Sequence, residues 1–314
     1  QDLLLRAKAA SRTADTEQAM HDTLDVIDGA LALDSKYGDA MTAKATTLTR
    51  LGSTFAHGQE DWAAISREAE LAAGRAVSLA PRSAAARVAL GLIYFSTFRF
   101  VSALQQFSLI RTSSGTGAVE LSSIAWCVGQ FRRFGQALTL AEQAVALDPL
   151  NPQVHLSKAN VLDWMRRLPE AQDSVSEAIR LSPGLMEAHG FHAYLFVEAG
   201  KLREAQQEVS VTAPTGAAQS LVLQALLAYR FGDRNRSNQI VDKILHSESA
   251  TAFHYQLAEI YCQQGRQNDA LAELERAWTA RDPGLTEIQV DFLLEPLRSQ
   301  PRFQAILKKL NFPA

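Results

Sequence analysis

Seven histidines and two cysteines are the residues with which this chain could hold a metal or form a covalent bond. His189 and His192 stand three apart, so on a helix they share a face and could grip one ion. No carboxylate or thiol follows at matching spacing, and no metal site is expected; His21, His57, His155 and His246 read as packing or surface groups. Cys127 and Cys262 fall in first helices four repeat units apart. Helix layers about 10 Å thick place them far beyond the ~6 Å Cα separation of a disulfide, so both are expected as reduced, half-buried thiols. No glycine-rich phosphate loop, paired-histidine zinc helix or nucleophile elbow occurs. Asn235, Arg236 and Ser237 form a glycosylation triplet that arises often by chance. The sequence therefore names no catalytic residue, metal or cofactor.

The elements that carry these residues recur. The turn closing each second helix ends at Pro81, Gly115, Pro149 and Pro183, in steps of 34 residues. Small residues repeat inside the units: Gly91 and Ala103; Ala125, Ala137 and Ala144; Ala159, Ala171 and Ala178; Ala258, Ala270 and Ala277. A small residue at position 8 facing an Ala at position 20 lets two antiparallel helices approach closely. The turn Pro ends the second helix because it lacks an N–H and clashes with the preceding turn.

This pattern resembles the tetratricopeptide repeat, one helix–turn–helix unit per 34 residues. The resemblance implies an all-α, right-handed solenoid. About eight units are expected: 4–35, 38–81, 84–115, 118–149, 152–183, 186–214, 218–249 and 251–283, then a cap over 285–314. The second carries an insertion near 52–62, expected between its helices with Asp61 as a cap. Gly200 and Gly232 mark turns inside less regular units, and Val211–Gly216 a loop between units. In the cap, Pro301 opens a helix whose Phe303, Ile306, Leu307 and Leu310 form one apolar stripe, with Arg298, Arg302, Lys308 and Lys309 outside it. The whole chain reads as one solenoid domain.

In tetratricopeptide arrays the first helices line a concave face, at positions 2, 5, 9, 12 and 13 of each unit. Those positions give a candidate partner-binding groove of Arg50, Phe95, Trp126, Gln130, Asn160, Trp164, Tyr194, Glu198, Tyr229, Arg230 and Tyr255. Aromatic side chains give large contact area at low entropic cost, as binding anchors do. The same rings could instead fill the groove as core, and both readings stay open. Asn160 is placed to hydrogen-bond a peptide backbone, and Arg50 and Arg230 to meet an anion. The carboxylate clamp of chaperone-binding arrays needs lysines that are missing here, which argues against that specificity.

Longer phrases carry a narrower resemblance. Leu3-Leu4-Leu5-Arg6-Ala7-Lys8-Ala9 opens the chain, Glu70-Leu71-Ala72-Ala73-Gly74-Arg75-Ala76 follows, and Leu294-Glu295-Pro296-Leu297-Arg298-Ser299-Gln300-Pro301 leads to Leu310-Asn311-Phe312-Pro313. They resemble the C-terminal tetratricopeptide region of bacterial signalling proteins that carry a class III adenylate or guanylate cyclase or a ToxR/CadC-like winged helix. That implies a non-catalytic interaction module with a protein or peptide ligand, in a sensory or scaffolding role. A cyclase domain could lie outside this chain, which is expected to be a piece of a longer protein. A stand-alone scaffold and a small-molecule-binding helical array are the alternatives.

With 31 basic and 34 acidic residues the net charge is −3, so no direct nucleic-acid contact is expected. No apolar run reaches the ~18 residues of a membrane span. Bacterial cytoplasm, periplasm and homodimerisation all stay open.

Overall fold

The computed structural model describes residues 16–55, 59–110, 116–213, 218–246 and 253–313. Expectations that fall on residues 1–15, on His57, on Gly115 and on 214–216 of the expected Val211–Gly216 loop lie outside them. The described residues are helical, with no strand among them. They form two compact units, one ending at Thr116 and one running from Gly117 to Phe312.

The N-terminal unit holds α1 (Glu17–Leu33), α2 (Gly38–Phe55), α3 (Gln59–Leu79), α4 (Ala84–Ser96) and α5 (Phe100–Ser108), each packed on the next. The described part of the expected 52–62 insertion is helical rather than a loop. Gly52 lies inside α2, and Asp61 sits in the first turn of α3 rather than capping it, where its charge suits the helix N-terminus. The added length has gone into longer helices, whose further turns bury Leu51 and Ser66.

The C-terminal unit holds four helix pairs: α6 (Ala118–Gln130) and α7 (Phe134–Leu147), α8 (Pro152–Trp164) and α9 (Leu168–Leu181), α10 (Met186–Glu198) and α11 (Leu202–Thr212), α12 (Ala218–Arg230) and α13 (Arg234–Leu245). A fifth pair, α14 (His254–Gln263) and α15 (Gln267–Ala280), leads into two 3₁₀ turns, η1 (Pro283–Glu287) and η2 (Phe292–Leu297), and α16 (Pro301–Leu310). First helices stack on first helices, as α6 on α8 and α12 on α14.

Close packing follows the small positions. Ala125, Ala159, Ala193, Ala225 and Ala258 face Ala137, Ala171, Ala205, Ser237 and Ala270, all 0% exposed. Ser237 is accommodated because its hydroxyl donates to the Ala225 carbonyl at 2.8 Å.

The turn inside each unit has one geometry. Phe98, Arg132, Arg166, Gly200, Gly232 and Gly265 all have left-handed φ, between 60° and 87°. The N–H of the following residue returns to the carbonyl six-residue-turn fashion, as Arg99 to Tyr94 at 2.7 Å and Arg167 to Leu162 at 2.9 Å. The left-handed N–H bonds the carbonyl three back, as Phe98 to Phe95 at 3.0 Å. This is the Schellman closure. Glycine adopts it freely; Phe98, Arg132 and Arg166 do so against a steric penalty.

Position 4 has a bonding role that spacing alone did not show. Arg87, His155 and His189 each reach the carbonyl of the preceding turn proline, Pro81, Pro149 and Pro183, at 2.9, 2.8 and 3.0 Å. The side chain 19 residues on gives a second anchor: Arg87 to Gln106 at 3.1 Å, His189 to Glu208 at 2.6 Å and His254 to Glu273 at 2.8 Å. Glu208 also takes His192 at 3.0 Å, so the histidine pair shares a carboxylate from the facing helix. Among the described residues no group of three metal-ligating side chains converges. Cys127 and Cys262 are free and fully buried rather than half-buried.

Candidate binding cleft

The segment after α15 is more than an end cap. Asp282 accepts from the Tyr255 N–H at 2.9 Å, and its other oxygen from Gly284 N–H at 2.9 Å, which turns the chain across α14. The 3₁₀ turns then lie on α14, and Gln263 Nε2 donates to the Leu293 carbonyl at 2.6 Å. Arg298 closes the segment by donating to the carbonyls of Gln289 and Asp291 at 2.7 and 3.2 Å. It thus staples the segment. α16 buries Phe303, Ile306 and Leu310, and Arg302 makes a two-point ion pair with Glu275 at 2.9 and 2.8 Å. Phe312 meets the Phe131 ring edge-on at 6.4 Å.

Between this segment and the first helices of the C-terminal unit lies a cavity of about 370 Å³. Trp126, Asn160, Asp163 and Trp164 form one side, Glu187, Phe191 and Tyr194 continue it, and Tyr255, Gln256 and Glu259 with Glu287 and Asp291 form the other. Trp164 leans over Gly129, where a Cβ would come within 2.4 Å of the ring, so the glycine admits the indole to the cleft wall.

Asp291 anchors the far wall. Its oxygens accept from Tyr194 at 3.2 Å, Tyr255 at 3.0 Å and the Leu293 N–H at 2.8 Å. Burial raises its pKa, and those donated bonds oppose the rise. Glu259 is also raised well above the usual carboxylate range, by burial and then by the charge of Asp291. Glu287 keeps an exposed surface, yet its pKa is pushed up to about 7, chiefly by desolvation and then by the charge of Asp291. Asp163 is 3% exposed, and its Oδ1 has no hydrogen-bond partner. Desolvation pushes it up to about 7 against the opposing pull of Arg166.

The predicted groove residues divide. Trp126, Asn160, Trp164, Tyr194 and Tyr255 line the cleft. Tyr255 is 3% exposed and Tyr194 stacks on Phe191 at 5.9 Å and on the edge of Phe292 at 4.6 Å, so both tyrosines are wall rather than free anchors. Asn160 Nδ2 donates to its own helix, at Leu156 O, 2.9 Å. Gln130 is fully buried, with neither amide atom bonded. Glu198 is paired with Arg166, Tyr229 donates to Gln264 O at 3.2 Å, and Arg230 donates to Gln263 at 2.7 Å. These three therefore tie repeats together rather than facing the cleft. Phe95 is core in the N-terminal unit, 5.4 Å from Phe100, and Arg50 lies on α2 of that unit. Five carboxylates also line the cleft: Asp163, Glu187 and Glu259 occupy inward positions of the repeat, whereas Glu287 and Asp291 lie beyond the last repeat, where no register reaches.

With this geometry established, comparison with known proteins places its type. Residues 129–185 and 222–285 match the tetratricopeptide repeat family model. Those stretches carry tetratricopeptide repeats, and the chain is an all-α repeat array. Two Arabidopsis thaliana proteins are similar over a short stretch: an inactive TPR repeat-containing thioredoxin, TTL3, 32% identical over 76 residues, and a TPR repeat-containing thioredoxin, TTL4, 32% identical over 79. The matches take in 24% and 25% of this chain and 11% and 12% of those proteins. Among solved structures, a tetratricopeptide repeat protein from Parabacteroides merdae aligns with TM-score 0.55 over 85% of this chain and 98% of that one, at 13% identity. The human IFIT1 dimer with PPP-AAAA aligns with TM-score 0.53 over 83% of this chain and 69% of that one, at 16% identity. These likenesses concern the fold. No helix among the described residues is long and apolar enough to cross a membrane.

Proposed function

We propose that this chain is a non-catalytic module that binds a protein or peptide through the C-terminal unit, in a sensory or scaffolding role within a bacterial signalling or transcription-regulatory protein. The observation that carries the binding reading is the cleft: a recess of about 370 Å³ walled by Trp126, Trp164 and Asn160 on one side and by the chain's own C-terminal segment on the other. Repeat arrays present such recesses as recognition surfaces. The regulatory context rests on sequence phrases that resemble those of cyclase- and ToxR/CadC-linked repeat regions, Leu294–Pro301 above all. A ligand such as the PPP-AAAA seen with IFIT1 is not carried over, since five carboxylates in the cleft repel anions.

A receptor for a small molecule is the second reading, favoured by the convergence of several polar groups on one recess. Selection from a random peptide display library on the full chain tests the first. Enriched peptides should lose binding to a Trp126→Ala, Trp164→Ala double variant whose helical content and melting stay nearly unchanged. A large drop in melting temperature in that variant would show the rings to be core and would defeat the reading.

A further inference from the structure

The charge of the cleft is one-sided. Asp163, Glu187, Glu259, Glu287 and Asp291 line it, and among the described lining residues no Lys, Arg or His occurs. Of these carboxylates, Asp163 and Asp291 are buried, which is costly, and the chain as a whole is only slightly acidic at −3. An acidic surface alone says little, but Asp163 adds an independent observation. Its Oδ1 is buried at the cleft wall with no partner, in a carboxylate only 3% exposed. Gln256 Oε1, on the opposite side, is likewise buried without a donor. Buried acceptors without donors are rare in folded proteins. Both residues line the cavity.

The missing donor is not a small metal ion, because no three ligating side chains among the described residues converge on a point. Glu259 and Asp291 bond each other at one wall, while Asp163 lines the other, so a complementary group that reaches Asp163 needs length and N–H donors. Aromatic rings complete the description: Trp126, Trp164 and Tyr194 line the same space, and such faces attract organic cations. The volume of about 370 Å³ is at the small end of ligand pockets and suits one long side chain.

We infer that this cleft is a receptor for an organic cation, an ammonium or guanidinium on an aliphatic stem, presented as the lysine or arginine side chain of a bound peptide. The inference rests on the interaction-module reading and names its ligand chemistry. The cation donates to Asp163 Oδ1 and Gln256 Oε1 and lies between the indoles.

Titration calorimetry with the full chain tests it, using three capped pentapeptides that differ only at the centre (Lys, Arg or norleucine) and free agmatine. Lys or Arg peptide should bind at millimolar affinity or better, the norleucine peptide should not, and added salt should weaken binding. Asp163→Asn should weaken it by about tenfold, the loss expected for one charge-assisted hydrogen bond. That substitution relieves a buried charge, so the variant should melt no lower than the parent, and lost binding will not reflect unfolding. Glu259→Gln checks the opposite wall in the same way. Agmatine binding without any peptide binding would uphold the cation receptor and defeat the peptide reading. Equal binding of the norleucine peptide would overturn the cation inference and leave the module standing. No binding by any of the four at millimolar concentration, or an Asp163→Asn variant that binds as the parent does, would overturn the inference.

Discussion

The hydroxyl of Tyr194 lies 3.2 Å from Asp291 Oδ1, although the two residues are 97 apart in sequence. Asp291 Oδ2 takes a second tyrosine, Tyr255, at 3.0 Å. One carboxylate thus pins the C-terminal segment to two different first helices and shapes the far wall of the cleft. Tyr194→Phe and Tyr255→Phe should each lower stability by about 1 kcal/mol, the net worth of a buried hydrogen bond. In an Asp291→Ala background both effects should shrink toward zero. A double-mutant cycle by urea denaturation reads this directly, and undiminished effects would show that the hydroxyls are held elsewhere.

Gly129 and Trp164 set the other wall. A methyl at Gly129 would meet the indole at 2.4 Å, so Gly129→Ala should cost about 1–3 kcal/mol through overpacking. The displaced indole should also shift tryptophan emission. An unchanged spectrum and melting curve would mean that the ring has other room.

The left-handed turns offer a stabilising change. Arg132 is exposed, with φ 60°, in the turn where Gly200, Gly232 and Gly265 stand in other units. Arg132→Gly removes the Cβ clash but adds freedom to the unfolded chain, a net gain of about 0.5–1 kcal/mol. A higher urea midpoint with the same slope is expected; a lower one would show that the arginine side chain contributes more than its backbone costs.

The buried carboxylates make stability depend on pH with a definite sign. Asp163 rises from the ordinary 3.8 to about 7 on folding. A raised carboxyl favours the fold fully below the unfolded value, and that support is lost as pH climbs through the folded one. Arg166 and Asp291 act on it directly, and Glu187, Glu259 and Glu287 share its cleft. Melting temperature should therefore fall from pH ~5 to ~8, by a stability change of order 1.4 kcal/mol per pKa unit. Asp163→Asn should be the more stable protein at pH ~8 and show a flatter profile. A parent protein whose melting rises over that range would contradict the buried, unpaired state of Asp163.

The repeat could be read without coordinates because it rests on local rules. The 34-residue step, taken twice from Pro81 to Pro149 and once more to Pro183, and the facing alanines at Ala159 and Ala171 are spacing and size. Trp126, Asn160 and Trp164 followed from that register and do line the cleft. Register also misled where neighbours intervene. Glu198, Tyr229 and Arg230 hold the predicted inward positions, yet their polar atoms bind residues of the adjacent repeat. Tyr194 and Tyr255 point inward but meet Asp291, which periodicity cannot place because it follows the last repeat. Local sequence determined the helices, their turns and the close approach within pairs, since each depends on residues a few positions apart. Only tertiary structure decided that the C-terminal segment folds back over the first helices, and so gathered Asp163, Glu259 and Asp291 around one cavity. Long-range hydrogen bonds and burial set that arrangement, and no repeat of 34 residues encodes them.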